Sequence, residues 1–196
     1  MVMHSREKIL DAVKRNQPEN TSLPAIPFFE QPFTDLAQKF SEVVQAIGGE
    51  VHPVSSYAQI NTILKEEFGN KTIFTSAKEL TELVDTGITY ANAHAFADLE
   101  LAVVEAHLAV AENGAVWVTE DLLQERALPF IAQHLALIIH PENIVPTMHD
   151  AYAKIGTLDY GFATFIAGPS KTADIEQSLV LGAHGPKSLL VFLLTK

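Results

Sequence analysis

The stretch Gly168 to Pro186, GPSKTADIEQSLVLGAHGP, gathers the residue types best suited to holding a small ligand. An apolar run leads into Gly168-Pro169-Ser170, and the residues from Thr172 to Leu181 read as a helix opening directly after that turn. Gly168 permits close backbone approach and Pro169 fixes the turn. A hydroxyl from Ser170 or Thr172 would cap the helix. Free N–H groups at such an entrance, with Lys171 beside them, could hold a phosphate or carboxylate. The alternative is a simple turn and cap, with Asp174 and Glu176 complementing the helix dipole. Gly182-Ala183-His184-Gly185-Pro186 then forms a tightly shaped loop. There His184 is either a hydrogen-bonding member of a polar pocket or a structural loop histidine. Local chemistry leaves both pairs of readings open.

Ser170, Asp174 and His184 contain the residue types of a hydrolase triad, but no G-x-S-x-G elbow occurs and Ser170 follows a proline, so a triad is rejected. A second junction is Ala111-Glu112-Asn113-Gly114-Ala115, where Asn-Gly between apolar segments signals a hairpin with a type I′ turn. Glu112 is the candidate catalytic carboxylate, as base or nucleophile, or else an ordinary turn-flanking acid. The eight histidines are scattered. Neither His94 with Asp98 nor Glu105 with His107 makes a metal set, so no metal is expected. The chain has no cysteine, which excludes disulfides, thiolate catalysis and any cysteine-held iron–sulfur cluster. No glycine-rich nucleotide fingerprint is present. Trp117, inside an apolar strand, reads as core.

The elements that must position these residues follow from hydrophobic period. Residues from about Ser5 to Asn16 form a short amphipathic helix, and Pro18, Pro24, Pro27 and Pro32 follow, so residues 1–33 read as an arm and linker. Residues 34–196 read as one α/β domain. Leu36 to Ile47 is helical and stops at Gly48-Gly49; Glu50 to Val54 is a strand; Tyr57 to Phe68 is a helix. Lys71 to Thr75 is a strand, and Ser76 with Glu79 forms a capping box for a helix stopping near Gly87. Leu101 to Ala111 fits a helix or a pair of strands equally. Ala115–Thr119, Leu135–His140, Phe162–Ala167 and Leu189–Leu194 read as strands, and Thr147 with Asp150 caps a helix ending at Gly156.

Near-continuous apolar strands separated by helices imply a mostly parallel sheet flanked by helices. Ligands of such folds sit beyond the carboxyl ends of the strands. The two glycine-rich loops, flanking one helix, are therefore expected to meet at one mouth of the sheet with Glu112 nearby. The net charge of −11, without a dense Lys/Arg block, argues against nucleic-acid binding. Leu189–Leu194 is too short to span a bilayer, and residues 1–15 carry no secretory h-region, so a cytoplasmic protein without membrane insertion is expected.

The segment from Gly168 through Glu176, with Gly182, His184, Gly185 and Pro186, resembles the LUD-domain family pattern GPS-[RK]-T-A-D-I-E followed by G-x-H-G-P. LAVAENGAVWV is similar to that family's A-x-A-E-[TS]-G-[TS] element on Ala109, Ala111, Glu112 and Gly114, and departs from it at Asn113 and Ala115. The resemblance implies a fold like the ribose-5-phosphate isomerase, glucosamine-6-phosphate deaminase and CoA-transferase group. It also implies service in oxidation of L-lactate to pyruvate beside partner proteins that carry iron–sulfur clusters, this chain binding no cofactor of its own. The site residues would be Gly168, Pro169, Ser170, Lys171, Thr172, Asp174, Gly182, His184 and Gly185 around a small anionic metabolite. The competing readings are an isomerase- or transferase-like enzyme acting through Glu112 on a phosphorylated or CoA-linked acid, and a metabolite-binding module without chemistry.

The arm has little apolar surface to offset the entropy of ordering. Limited proteolysis is expected to cut first between about Gln17 and Gln31, and protection of that stretch in a monomer would contradict the reading.

Overall fold

Successive side chains of a β-strand point to opposite faces, and the apolar runs of this chain use both faces of one sheet. The computed structural model describes residues 5–22, 24, 33–83, 93–123, 125–175 and 178–195. In chain order the first elements are α1 (Ser5–Arg15), α2 (Leu36–Ala46), β1 (Glu50–Val54), α3 (Tyr57–Phe68), β2 (Ile73–Thr75), β3 (Leu101–Glu105), β4 (Leu108–Val110) and β5 (Val116–Thr119). There follow α4 (Leu128–Ile131), β6 (His134–Ile139), β7 (Ile144–Val145), α5 (Met148–Ile155), β8 (Ala163–Ile166), β9 (Lys171–Ile175), β10 (Ser178–Leu181) and β11 (Ser188–Leu194). The chain divides into two compact units, Met1–Gln31 and Pro32–Lys196. In the first, α1 buries none of its residues and leaves Ile9, Leu10 and Val13 exposed.

In the second unit, a five-stranded sheet runs in the order β1-β11-β6-β3-β2, with every pairing parallel. Leu101, Val103, Ala136, Ile138, Leu190 and Phe192 face Ile60, Leu64 and Phe68 of α3. The alternate residues, Ala102, Val104, Leu135, Leu137, Leu189 and Val191, face the other way. They pack with Phe40 and Val44 of α2 and with Ala109, Val116 and Val118 of a second sheet. That sheet has four strands in the order β7-β4-β5-β8 and mixes parallel and antiparallel pairs. Its outer face, with Leu108, Val110 and Trp117, is covered in part by Ala151 and Ile155 of α5. The result is a layered α/β fold with a mostly parallel central sheet flanked by helices. No helix among the described residues is long and apolar enough to cross a membrane.

Helix starts follow local chemistry. The Asp35 carboxylate accepts from Gln38 N–H at 3.0 Å, and the Ser56 hydroxyl accepts from Gln59 N–H at 3.3 Å. Thr147 and Asp150 form the full capping box of α5, which ends at Gly156.

Three expectations need correction. The stretch Thr172–Leu181 is not a helix. It is the antiparallel hairpin β9–β10, in which Lys171 lies opposite Leu181 and Thr172 opposite Val180. The β-branched Thr172, Ile175 and Val180 suit extended backbone, and pairing across the hairpin overrides the cap signal at Ser170. The capping-box helix after Ser76 is a 3-10 segment, Lys78–Leu83, and its expected stop at Gly87 lies outside the described residues. The Asn-Gly junction does join an antiparallel pair, but not as a two-residue turn. Val110 N–H donates to Ala115 O, and Gly114 N–H reaches back to Val110 O. Leu101–Ala111, left open between helix and strands, holds the two strands β3 and β4 in different sheets.

Phe192 lies on β11, between β1 and β6, and is fully buried. Phe192→Ala is expected to cost about 3–5 kcal/mol in urea unfolding. A loss under about 1 kcal/mol would show that the α3-facing core is not packed around it.

Candidate functional site

The glycine-rich loops are organised around the residue that caps the second helix. Ile47 closes α2, its N–H donating to Val43 O at 3.0 Å. Gly168, at φ +72°, lies so close that a Cβ there would stand 2.9 Å from Ile47 O. Gly114, at φ +69°, would bring a Cβ to 3.1 Å from the tip of the Ile47 side chain. Both positions need glycine, for backbone conformation and for space. The Lys171 ammonium donates to Ile47 O as well.

From this anchor the two loops meet. Ser170 N–H donates to Pro186 O at 2.8 Å, and Gly182 N–H donates to Ser170 O at 3.0 Å. A Cβ on Gly185 would stand 3.1 Å from the Ser170 Cβ. Between the loops and α4 lies a cavity of about 240 Å³, walled by Phe130, Ile166, Gly168, Ser170, His184 and Pro186 among others. The structure thus brings together Gly168, Pro169, Ser170, His184 and Gly185. Gly182 holds the loop from behind, and Lys171 is turned to Ile47. Thr172 lies in β9; the Asp174 side chain and Glu176 fall outside the described residues.

Three expectations about this site change. No helix starts at Ser170, so no helix N-terminus is available to an anion there. The Ser170 and Gly182 N–H groups are already committed to Pro186 and Ser170 carbonyls. The cavity also lies at the amino ends of β6 and β11, against Leu135 and Leu189, rather than beyond the carboxyl ends. At the carboxyl edge the Tyr57 hydroxyl donates to Glu105 instead, and burial, followed by that carboxylate, pushes the phenol pKa up. Glu112 does not wall the cavity. Its carboxylate accepts from Met148 N–H at 2.6 Å, in the first turn of α5, and its own N–H donates to Pro146 O. β4 and β5 stand between β7, next to this position, and β8, which leads into Gly168.

A larger cavity, of about 520 Å³, escaped the reading of the sequence. It opens on the outer face of the second sheet, where Trp117 and Thr119 of β5 meet His107 and Asp121. Thr119 is buried; its hydroxyl donates to Asp121 and lies 2.6 Å from His107 Nε2. With its one proton given to Asp121, the hydroxyl can only accept from the imidazole. That hydroxyl is the main reason the Asp121 pKa sits below the usual carboxylate range. Glu120 is held low by Arg126 first and by Gly161 N–H second. The available signal was period two: Trp117, Thr119 and Asp121 alternate along one strand and its extension. Glu105 and His107 join separate networks, Tyr57 and Thr119 respectively.

A family model described as the LUD domain matches residues 70–194. A "Lactate utilization protein C" of Geobacillus thermodenitrificans is 24% identical over 98% of this chain and 80% of its own length. "Lactate utilization protein C 1" of Bacillus mycoides is 27% identical, covering 95% of each chain. A "Lactate utilization protein C" of Bacillus pumilus reaches 36% identity over 43% of this chain and 38% of its own. Among solved structures, a DUF162 family protein from Deinococcus radiodurans superposes with a TM-score of 0.62 at 15% identity, covering 84% of this chain and all of that one.

The Gly168 geometry sets a direct test. Gly168→Ala forces a side chain into a left-handed backbone against Ile47 O, and is expected to cost about 1–3 kcal/mol of stability by chemical denaturation. A change within about 0.5 kcal/mol would mean that the turn relaxes freely and that Ile47 does not anchor it.

Proposed function

This chain belongs to the LUD domain family, and from that membership we propose that it serves lactate utilization, as a cluster-free component of a system oxidising L-lactate to pyruvate. The observation that carries the reading is the near full-length similarity to proteins named for lactate utilization, which takes in the loop pair around Ser170 and His184. Chain chemistry supports the division of labour. Without cysteine the chain offers no thiolate for an iron–sulfur cluster, so electron transfer falls to partner proteins that carry such clusters.

In this proposal the cavity between the loops receives a small carboxylate metabolite. The Ser170 and Gly182 N–H groups are spent on carbonyls, and Ser170 and His184 supply the polar side chains of the wall. The remaining lining is largely apolar, with Ser170 half-buried and His184 exposed to solvent. An independent isomerase- or transferase-like reaction through Glu112 has less support, because that carboxylate is tied to the Met148 N–H.

Deleting the gene is expected to stop growth on L-lactate and spare growth on pyruvate. Reintroducing the wild-type gene should restore it, and Ser170→Ala, which removes one polar group of the wall but keeps the backbone bonds, should restore it in part. Ser170→Asp places a negative charge in the wall where the carboxylate would sit and should fail to restore growth at normal protein levels. Full rescue by Ser170→Asp would remove the cavity from the proposal. Normal growth of the deletion strain on lactate, with no second copy of the gene, would remove the lactate role.

A further inference from the structure

The larger cavity has no part in the reading above, and its lining has a composition of its own. Its volume, about 520 Å³, lies in the range of small-molecule sites. One side is apolar: Trp117 and Tyr160 meet edge to face, centroids 5.7 Å apart and planes at 76°, with Leu158 and Ile155 alongside. A further aromatic ring packs well against such a pair.

The polar side carries both signs of charge. Lys154 comes from the last turn of α5 and Asp159 from the segment after it; both are exposed. Neither forms an ion pair among the described residues. Asp121 is held ionised and in place by Thr119 and, at 3.6 Å, by His107. Glu120 also borders the cavity, but its two oxygens are taken by Arg126, at 2.8 and 2.6 Å, and by Gly161 N–H at 2.7 Å. The charges left for a ligand are therefore one cation and two anions. A simple carboxylic acid would face Asp121 and Asp159, and a simple amine would face Lys154. A molecule bearing both groups on one carbon answers both, and the apolar wall takes its side chain.

We propose that the cavity lined by Trp117, Tyr160, Lys154, Asp159 and Asp121 is a binding site for an α-amino acid with an aromatic side chain. The carboxylate goes to Lys154, the ammonium to Asp121 and Asp159, and the ring lies against Trp117 and Tyr160. This assignment does not depend on the lactate role.

Trp117 is the only tryptophan of the chain, so its fluorescence reports on this cavity alone. Titrating the full chain with L-phenylalanine is expected to change the emission saturably, with a dissociation constant of about 1 mM or tighter. 2-Phenylethylammonium, which lacks the carboxylate, and 3-phenylpropionate, which lacks the ammonium, should each bind at least about tenfold more weakly. Lys154→Met should weaken phenylalanine by about tenfold and leave 2-phenylethylammonium unchanged. Asp159→Asn should weaken phenylalanine and leave 3-phenylpropionate unchanged or tighter. Both side chains are exposed, and unchanged thermal melts would confirm that each variant folds. Absence of saturation, equal binding of the three probes, or phenylalanine binding indifferent to both folded variants would overturn the proposal.

Discussion

The end of α2 is touched from two directions, because the turns after β4 and β8 both press glycine backbone onto Ile47. A methyl group on Gly168 would clash with the Ile47 carbonyl and one on Gly114 would crowd the tip of the Ile47 side chain, and Lys171 adds its ammonium to that carbonyl. The two segments carrying the family pattern are thereby held to one point, although more than fifty residues separate them in the chain. From that point the loop before β11 is fixed in turn, through Ser170 and Pro186. The shape of the smaller cavity is a consequence of backbone packing on Ile47. Its side chains contribute lining and little of the framework.

The parallel sheet was legible because its strands are too apolar to be anything but doubly covered. Leu135–Ile139 and Leu189–Leu194 alternate between two cores, and both cores are apolar, so every position demands the same kind of residue. Thr172–Leu181 was misread for the opposite reason. Its mixed pattern fits a helix beginning at Ser170 as well as it fits a hairpin, and cross-strand pairing of Lys171 with Leu181 and Thr172 with Val180 decides between them, which helical spacing alone does not reveal. Leu101–Ala111 looked ambiguous since a single run feeds two sheets, with the break at Ala106 and His107.

The candidate site was legible in part. Glycine and proline spacing marked the two loops that do meet, because those residues encode turn geometry directly. Glu112 sits in a motif, yet its carboxylate belongs to the start of α5, a contact that depends on how β7 returns beside β4. The His107–Thr119–Asp121 network was invisible for a similar reason. Its members come from two segments, and the covering wall comes from the residues after α5. The helix expected at Ser170 also carried the anion argument with it, so a single wrong element changed the chemistry assigned to the loop.

The position of β11 has a consequence for how the domain acquires its structure. It lies between β1 and β6, yet it follows every other strand of the sheet in the chain, and Glu50 pairs with Leu190. Until it arrives, the β6-β3-β2 half and β1 cannot be joined, and each exposes an apolar edge. A nascent chain on the ribosome therefore carries an interrupted sheet until β11 has been made. Such long-range pairing slows closure and leaves the edges of the unfinished sheet open to wrong partners until that strand inserts.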